Sequence, residues 1–286
     1  MDWKSSAIRS LVSAGLAEDA ARQDLTTQAL IPAQLKIKAE IRAKQAGVVC
    51  GLPLVQAFFQ TFDSRLTFRP RARDGQRVKT GTVLAVIHGR ARSILSAERP
   101  ALNALQHLSG IATYTHDQVK CLGPGKTKLF DTRKTLPGWR ALQKYAVKCG
   151  GGTNHRSTLA EAILVKENHL KVTRLAGQDW LNAAHRLKKR RIPIELEIQT
   201  ERDLREALCL KPQTVLLDNM PLAKLKRVIR RLRKEIPGIK IEISGGVKPE
   251  QLRSLGRLGA NRISMGRLTH SVQAFDCSLD IVSLLS

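Results

Sequence analysis

The sequence predicts an α/β fold whose larger part is a barrel of parallel strands, preceded by a smaller α+β layer. Three observations lead there. From about residue 115, short apolar runs at 128–130, 162–165, 194–198, 215–217, 239–243 and 262–264 alternate with stretches long enough for crossover helices. Nearly every run ends in a polar or phosphate-friendly group: Asp131 and Arg133, Lys166, Glu197, Asp218 and Asn219, Ser244-Gly245-Gly246, and Gly266 with His270. Right-handed crossovers permit either a doubly wound sheet or a barrel, and functional groups at the C-terminal ends of many strands favour the barrel, whose loops converge on one mouth. The first hundred residues have a different texture, with period-two alternation and short helices.

Along that first part, Ile8, Leu11, Val12 and Leu16 predict an opening helix, followed by 23–27, which caps or crosses over. Ile37, Ala39, Ile41 and Ala43 alternate with Lys36, Lys38, Glu40 and Arg42, the pattern of a half-exposed strand closed by 47–51. A helix at 56–62, a strand at 66–71, an Asp74-Gly75 turn and a strand at 83–87 complete the layer. The spacing Asp-Gly-x-x-Val-x-x-Gly-x-x-Leu there also occurs in biotin- and lipoate-carrying domains, but no lysine sits at a hairpin tip to carry the cofactor. Ser96 is expected to cap a helix with Pro100 in its first turn and an apolar stripe of Leu102, Leu105, Leu108 and Ala112. Arg99 lies in that same turn.

Residues 131–156 concentrate positive charge. Arg133 and Lys134 follow the strand at 128–130, and His155 and Arg156 follow Gly150-Gly151-Gly152. Pro137 suits the first turn of an intervening helix, on which Trp139, Leu142, Ala146 and Cys149 recur at helical spacing. A guanidinium offers a rigid fork of donors that grips a carboxylate or phosphate at two points, while a lysine ammonium acts as a mobile point charge. Two arginines, a lysine and a histidine converging on a pocket suit a small, highly anionic substrate. At the far end, Ile-Ser-Gly-Gly and Ile-Ser-Met-Gly bring bare backbone N–H groups to consecutive strand ends, where barrels commonly hold phosphate. Glu197 and Asp218 read either as buried partners of lysines or as Mg²⁺ anchors beside phosphates.

Composition narrows the function classes. Much of the net charge of +25 lies in 186–191 and 224–240, where Leu222, Leu225, Val228, Ile229, Leu232 and Ile236 mark the buried stripe and the basic residues a solvated face. With only 4% aromatic residues there is no stacking platform, so nucleic-acid binding is not the leading expectation. The five cysteines show no CxxC spacing and their odd number precludes a complete intrachain disulfide framework; buried free thiols are expected, with zinc as second choice. No apolar run approaches the roughly 20 residues of a membrane span, and the N-terminus lacks a signal-peptide pattern. A cytoplasmic protein is expected.

The motifs Asp-Thr-Arg-Lys-Thr-Leu-Pro-Gly at 131, Gly-Gly-Gly-Thr-Asn-His-Arg at 150, Ile-Leu-Val-Lys-Glu-Asn-His at 163, Leu-Leu-Asp-Asn-Met at 216, Glu-Ile-Ser-Gly-Gly-Val at 242 and Ser-Met-Gly-Arg-Leu-Thr-His-Ser at 264 resemble those of the quinolinate phosphoribosyltransferase family. Asp-Leu-Thr-Thr at 24 and Ala-Glu-Arg-Pro-Ala-Leu-Asn at 97 extend the resemblance over essentially the whole chain. It implies an N-terminal open-faced α/β sandwich (1–114, with 272–286 returning to it) and an incomplete α/β barrel (115–271). It also implies a homodimer with shared active sites, sometimes a larger oligomer. The implied reaction joins quinolinate to phosphoribosyl pyrophosphate with Mg²⁺, giving nicotinate mononucleotide, pyrophosphate and carbon dioxide for NAD biosynthesis.

By the same resemblance Arg133, His155, Arg156 and Lys166 bind quinolinate, and Arg99 reaches the partner subunit's site. Lys134 stands near the sugar pyrophosphate, Glu197 and Asp218 near ribose and Mg²⁺, and Ser244, Gly245, Gly266 and His270 on the phosphate side. Lys134, Lys166, Glu197 and Asp218 are the expected catalytic group. Two departures from the family pattern stand out: Gln199, where an acidic residue is commoner, and Leu268, in place of a smaller one.

Overall fold

Six strands form where the six apolar runs predict them, and all six are parallel. The computed structural model describes residues 1–189 and 192–285; Arg190 and Arg191, the end of the first basic stretch, and Ser286 lie outside the described residues. In chain order the elements are α1 (Ser6–Glu18), α2 (Leu25–Leu30), β1 (Lys36–Ala43), β2 (Gly47–Val48), α3 (Leu52–Phe62), β3 (Thr67–Pro70), β4 (Arg77–Val78), β5 (Val83–Arg90) and α4 (Ala91–Leu122). There follow β6 (Lys128–Phe130), α5 (Arg140–Cys149), β7 (Ile163–Val165), α6 (Glu167–Leu175), α7 (Trp180–Lys189), β8 (Ile194–Ile198), α8 (Glu201–Leu210), β9 (Thr214–Asp218) and α9 (Leu222–Glu235). The chain ends with β10 (Lys240–Ser244), α10 (Leu252–Gly256), β11 (Arg262–Ser264), α11 (Arg267–His270) and β12 (Cys277–Leu285).

The chain divides into two compact units. The first comprises 1–116, 135–151 and 268–286, the second 117–134 and 152–267. In the first, a four-stranded antiparallel sheet has the order β12-β1-β5-β3. The C-terminal strand thus returns to pair with β1, from Lys36 opposite Leu285 to Ala43 opposite Cys277. Asp24 caps α2 by accepting from the Thr27 N–H at 2.9 Å. β1 keeps the predicted alternation: Ile37, Ala39, Ile41 and Ala43 are buried, while on the other face Lys36 is exposed, Lys38 and Arg42 are part-exposed, and Glu40 alone is buried, paired with those two.

Three expectations need correction. The helix bearing Arg99 starts at Ala91, directly after β5, so Ser96 and Pro100 lie inside it. Ser96 gives its hydroxyl to Asp24 at 2.9 Å instead of capping. Pro137 precedes α5 rather than opening it, because Gly138 turns left-handed (φ 77°) and the helix begins at Arg140. Leu222 is exposed, leaving Leu225, Val228, Ile229 and Leu232 as the buried stripe of α9.

Residues 135–151 belong with the first unit because Gln143, fully buried on α5, ties them to α4. Its amide oxygen accepts from the Leu136 N–H at 3.0 Å and its NH₂ reaches His107 Nε2 at 2.7 Å. Gly150 continues the seat, since a side chain there would run into the Ala112 carbonyl and Thr115.

The second unit is one six-stranded parallel sheet of order β6-β11-β10-β9-β8-β7. Among the described residues β6 and β7 each pair with only one strand, so the barrel is incomplete. Strand residues alternate between two faces. Leu129, Ile194, Leu196, Ile198, Val215, Leu217, Ile241, Ile243 and Ile263 form the apolar face and are almost wholly buried. The opposite face carries Glu195, Glu197, Asp218, Glu242, Ser244, Arg262 and Ser264.

Candidate active site

The loop after β6 and the 152–156 loop are drawn together by main chain. Thr153 donates to the Leu129 carbonyl at 2.8 Å, and Asp131 donates to the Thr153 carbonyl at 3.0 Å. The fully buried Asp131 carboxylate then accepts the His155 N–H at 2.7 Å. One aspartate at a strand end thus fixes the segment carrying His155 and Arg156 beside the segment carrying Arg133 and Lys134. The Arg156 guanidinium donates to the Ala162 carbonyl at 2.6 Å. Burial and then the neighbouring Arg133 charge pull its pKa below the usual arginine range, as expected of two cations facing one space.

His155 points inward. Its Nε2 lies 3.4 Å from Glu195 and 3.3 Å from Glu242, while Nδ1 faces the Arg156 N–H at 2.8 Å. Burial alone would lower its pKa, but the two carboxylates outweigh it and raise it to about 9. Once the ring loses its charge, the Arg156 N–H favours the lone pair on Nδ1, so Nε2 is the nitrogen that keeps its proton. Arg262 completes this layer: Nε is 2.6 Å from Glu242 and Nη2 is 3.2 Å from Glu195. Its guanidinium lies 5.3 Å from the Phe130 ring centre, and Ser264 donates to the other Glu242 oxygen. With Arg262 occupying both carboxylates, the His155–Glu195–Glu242 triad is an ion-pair layer rather than a metal centre.

Towards the strand ends the chemistry changes. Glu197 and Asp218, at the ends of β8 and β9, are bridged by Gln199, whose Nε2 donates to Glu197 at 2.9 Å and to Asp218 at 3.2 Å. Burial, then the Asp218 charge, raises the Glu197 pKa, while Lys166, 3.9 Å away, pulls it back. Lys224 holds the Gln199 carbonyl at 2.9 Å, and Asn219, in a left-handed conformation (φ 50°), gives its amide to Asp218 at 2.9 Å. After Ser244 the chain turns through Gly245 (φ 83°), where a Cβ would lie 2.5 Å from Asn219. Only glycine fits that turn, which brings the strand end hard against its neighbour.

The structure therefore gathers Arg133, His155, Arg156, Lys166, Glu197, Asp218, Ser244 and Gly245 on one unit, with Lys134 and Gly266 on loops of the same unit. Arg99 and His270 belong to the first unit. Arg99 is exposed on α4 with Glu98 3.9 Å away, and His270 Nδ1 contacts the Ser271 hydroxyl at 2.7 Å. Glu195, Glu242, Arg262, Lys224 and the bridging role of Gln199 did not emerge from the sequence. Gln199→Glu is expected to place a third carboxylate against the first two, raise the pKa of Glu197 further and move the acid limb of the pH–rate profile upward. An unmoved limb would show that Gln199 does not govern the pair.

Comparison with known proteins agrees with this fold. The model of the quinolinate phosphoribosyl transferase N-terminal domain matches residues 24–109, and that of the C-terminal domain matches 111–280. A probable nicotinate-nucleotide pyrophosphorylase of Bacillus subtilis is 38% identical over 96% of this chain and 93% of its own length. The nicotinate-nucleotide pyrophosphorylase of Francisella tularensis superposes with a TM-score of 0.88 at 33% identity, covering 96% of each chain. NadC from Streptococcus pyogenes gives 0.86 at 35%, covering 96% of this chain and 97% of its own. With two domain models matched in tandem over an α/β fold that places these cations and carboxylates at its strand ends, the chain belongs to the quinolinate phosphoribosyltransferase family.

Proposed function

We propose that this enzyme transfers a phosphoribosyl group from phosphoribosyl pyrophosphate to quinolinate and releases carbon dioxide, forming nicotinate mononucleotide for NAD biosynthesis. The observation that carries this reading is the joining of the loop that bears Arg156 to the loop that bears Arg133, through Thr153 and Asp131, in a unit where adjacent strands end in Glu197 and Asp218. Two forked cations suit the two adjacent carboxylates of the pyridine. A carboxylate pair suits the positive charge that develops on the ribose as pyrophosphate leaves.

In this scheme Arg133 and Arg156 hold the pyridine dicarboxylate so that its ring nitrogen faces C1 of the ribose, with Lys166 as a third cation. Asp131 and His155 keep that grip in place. Glu197 or Asp218 stabilises the oxocarbenium-like ribose, and Lys134 offsets charge on the departing pyrophosphate. Once the ring nitrogen is quaternised, the C2 carboxylate leaves readily, and the protein's main task is to keep the ring fixed. Ser244, Gly245 and Gly266 offer hydroxyl and backbone donors to the 5′-phosphate. Glu197 and Asp218 are hard oxygen donors held beside one another by a neutral amide, a donor set that fits Mg²⁺ shared with substrate phosphates. When bound, Mg²⁺ would neutralise pyrophosphate charge.

The test is incubation with quinolinate, phosphoribosyl pyrophosphate and Mg²⁺, following carbon dioxide and the mononucleotide. Nicotinate in place of quinolinate should be a poor acceptor, since one carboxylate leaves a cation unused. Equal turnover of nicotinate, or no carbon dioxide, would reject the reading. A cytoplasmic dimer is part of the proposal. Among the described residues no helix is long and apolar enough to cross a membrane. If Arg99 completes the neighbouring subunit's pocket, mixing Arg99→Ala and Arg133→Ala chains should restore about a quarter of wild-type activity, because half the randomised dimers carry one intact site. No recovery despite demonstrated subunit exchange would mean that each subunit works alone.

A further inference from the structure

The first unit holds a second constellation that the transferase chemistry does not use. Cys50 follows β2, Asp74 sits at the turn before β4, and Cys149 ends α5, yet their two Sγ atoms and a carboxylate oxygen all lie within 4.8 Å of one another. Cys50 is fully buried and the other two are half-buried. Each is anchored from behind. The Cys50 N–H donates to Ser109 Oγ at 2.9 Å, and the α5 end is seated by Gly150 against the Ala112 carbonyl. Asp74 Oδ1 accepts the Gly51 and Leu52 N–H groups at 3.0 and 3.1 Å, and Oδ2 accepts the Tyr145 hydroxyl at 3.0 Å. The Tyr145 ring is itself held edge-on to Trp3 at 5.2 Å.

Capping of α3 accounts for one oxygen of Asp74. It does not account for two thiols converging on the same carboxylate, nor for its charge balance. This chain has 49 Lys and Arg against 24 Asp and Glu, yet among the described residues no ion pair involves Asp74. Burial, the two backbone donors and Tyr145 are what act on it. Carboxylates this well enclosed ordinarily pair with a cation. After the Tyr145 bond, Oδ2 still has a lone pair to offer.

We propose that Cys50, Cys149 and Asp74 form a three-ligand site for a soft divalent cation of the zinc class, with the Tyr145 phenol orienting the carboxylate and water as the fourth ligand. Two sulfurs and one oxygen match that class better than Mg²⁺ or Ca²⁺. Ligand atoms of a tetrahedral zinc site lie about 3.3–3.8 Å apart, so the contraction required is at most about 1.5 Å. The Tyr145 bond is the outer-shell partner such a carboxylate needs. Binding displaces the two thiol protons to solvent, so affinity rises with pH. Cys50, whose thiol burial pushes well up, is the harder to ionise, while its hydrogen bond to Cys149 brings the second thiol down. The cation would pin three distant segments of the first unit together.

The test uses the full chain with the exposed thiols removed (Cys121→Ser and Cys209→Ser), reduced and freed of metal by chelator dialysis. Zn²⁺ titrated calorimetrically should bind at one equivalent and raise the thermal midpoint. Co²⁺ should give tetrahedral visible bands with sulfur-to-cobalt charge transfer. Adding Cys50→Ser or Cys149→Ser should weaken binding more than about 100-fold and remove most of the charge transfer. Circular dichroism of the metal-free variants separates loss of ligand from loss of fold, and Tyr145→Phe, which keeps all three ligands, should weaken binding about tenfold. Absence of one-equivalent binding, an octahedral cobalt spectrum, or binding unchanged in both serine variants would overturn the site. So would reduced protein that ignores metal while the pair readily oxidises to a disulfide.

Discussion

Arg156→Ala is expected to lower kcat/KM for quinolinate by about 10²–10³-fold, with a much smaller change in KM for phosphoribosyl pyrophosphate. The magnitude follows from removing one charge-assisted, two-point contact from an enclosed site, worth about 2–5 kcal/mol. Enclosure matters here: Arg156 is held from behind by the Ala162 carbonyl, and its own backbone N–H is engaged by His155. Little flexibility remains for another side chain to replace it. Arg133→Ala should behave alike, and the double variant should lose less than the product of the two, because both grip one substrate. Steady-state kinetics with each substrate varied in turn would decide; near-native values in both single variants would remove quinolinate from this pocket.

Arg262→Leu should act on stability rather than on substrate affinity. It strips the cation from Glu195 and Glu242, which are almost wholly buried, and is expected to cost about 3–5 kcal/mol in a denaturant titration. The layer also sets a pH window. His155 is raised in the fold, so its contribution is complete below its ordinary 6.5 and fades as pH climbs through about 9. Glu242 is lowered by its hydrogen bond to His155 and by Arg262, despite burial, so its contribution is present above its ordinary 4.5 and fades as pH falls further. The wild type should therefore gain most from this layer between 4.5 and 6.5. A variant with unchanged denaturation midpoint would show that solvent, not Arg262, balances the two glutamates.

What could be read from sequence, and what could not, divides along physical lines. β-branched runs bounded by turn residues located the six parallel strands within a residue or two, and the polar groups named at their ends follow the strands along one edge of the sheet. The interior layer was legible in principle but passed unnoticed. A parallel strand covered on both faces should be continuously apolar, whereas Ile-Glu-Leu-Glu-Ile and Lys-Ile-Glu-Ile-Ser place a charged or polar residue at every second position, which announces one polar face. The start of α4 misled for a different reason. Ser96 and Pro100 are good helix-opening residues, but Ala91 needs no cap of its own because the chain passes straight from β5 into the helix, and Asp24 claims the Ser96 hydroxyl. The Asp131 bond to the His155 N–H and the Gln199 bridge depend on loop geometry, for which no spacing rule exists.

β12 has one further consequence. Because the antiparallel sheet is finished by residues 277–285, β1 keeps an unpaired flank until β12, made long after it, has docked. The amino-terminal half therefore cannot close its sheet in the order in which it is made, and chaperone protection would matter most for β1.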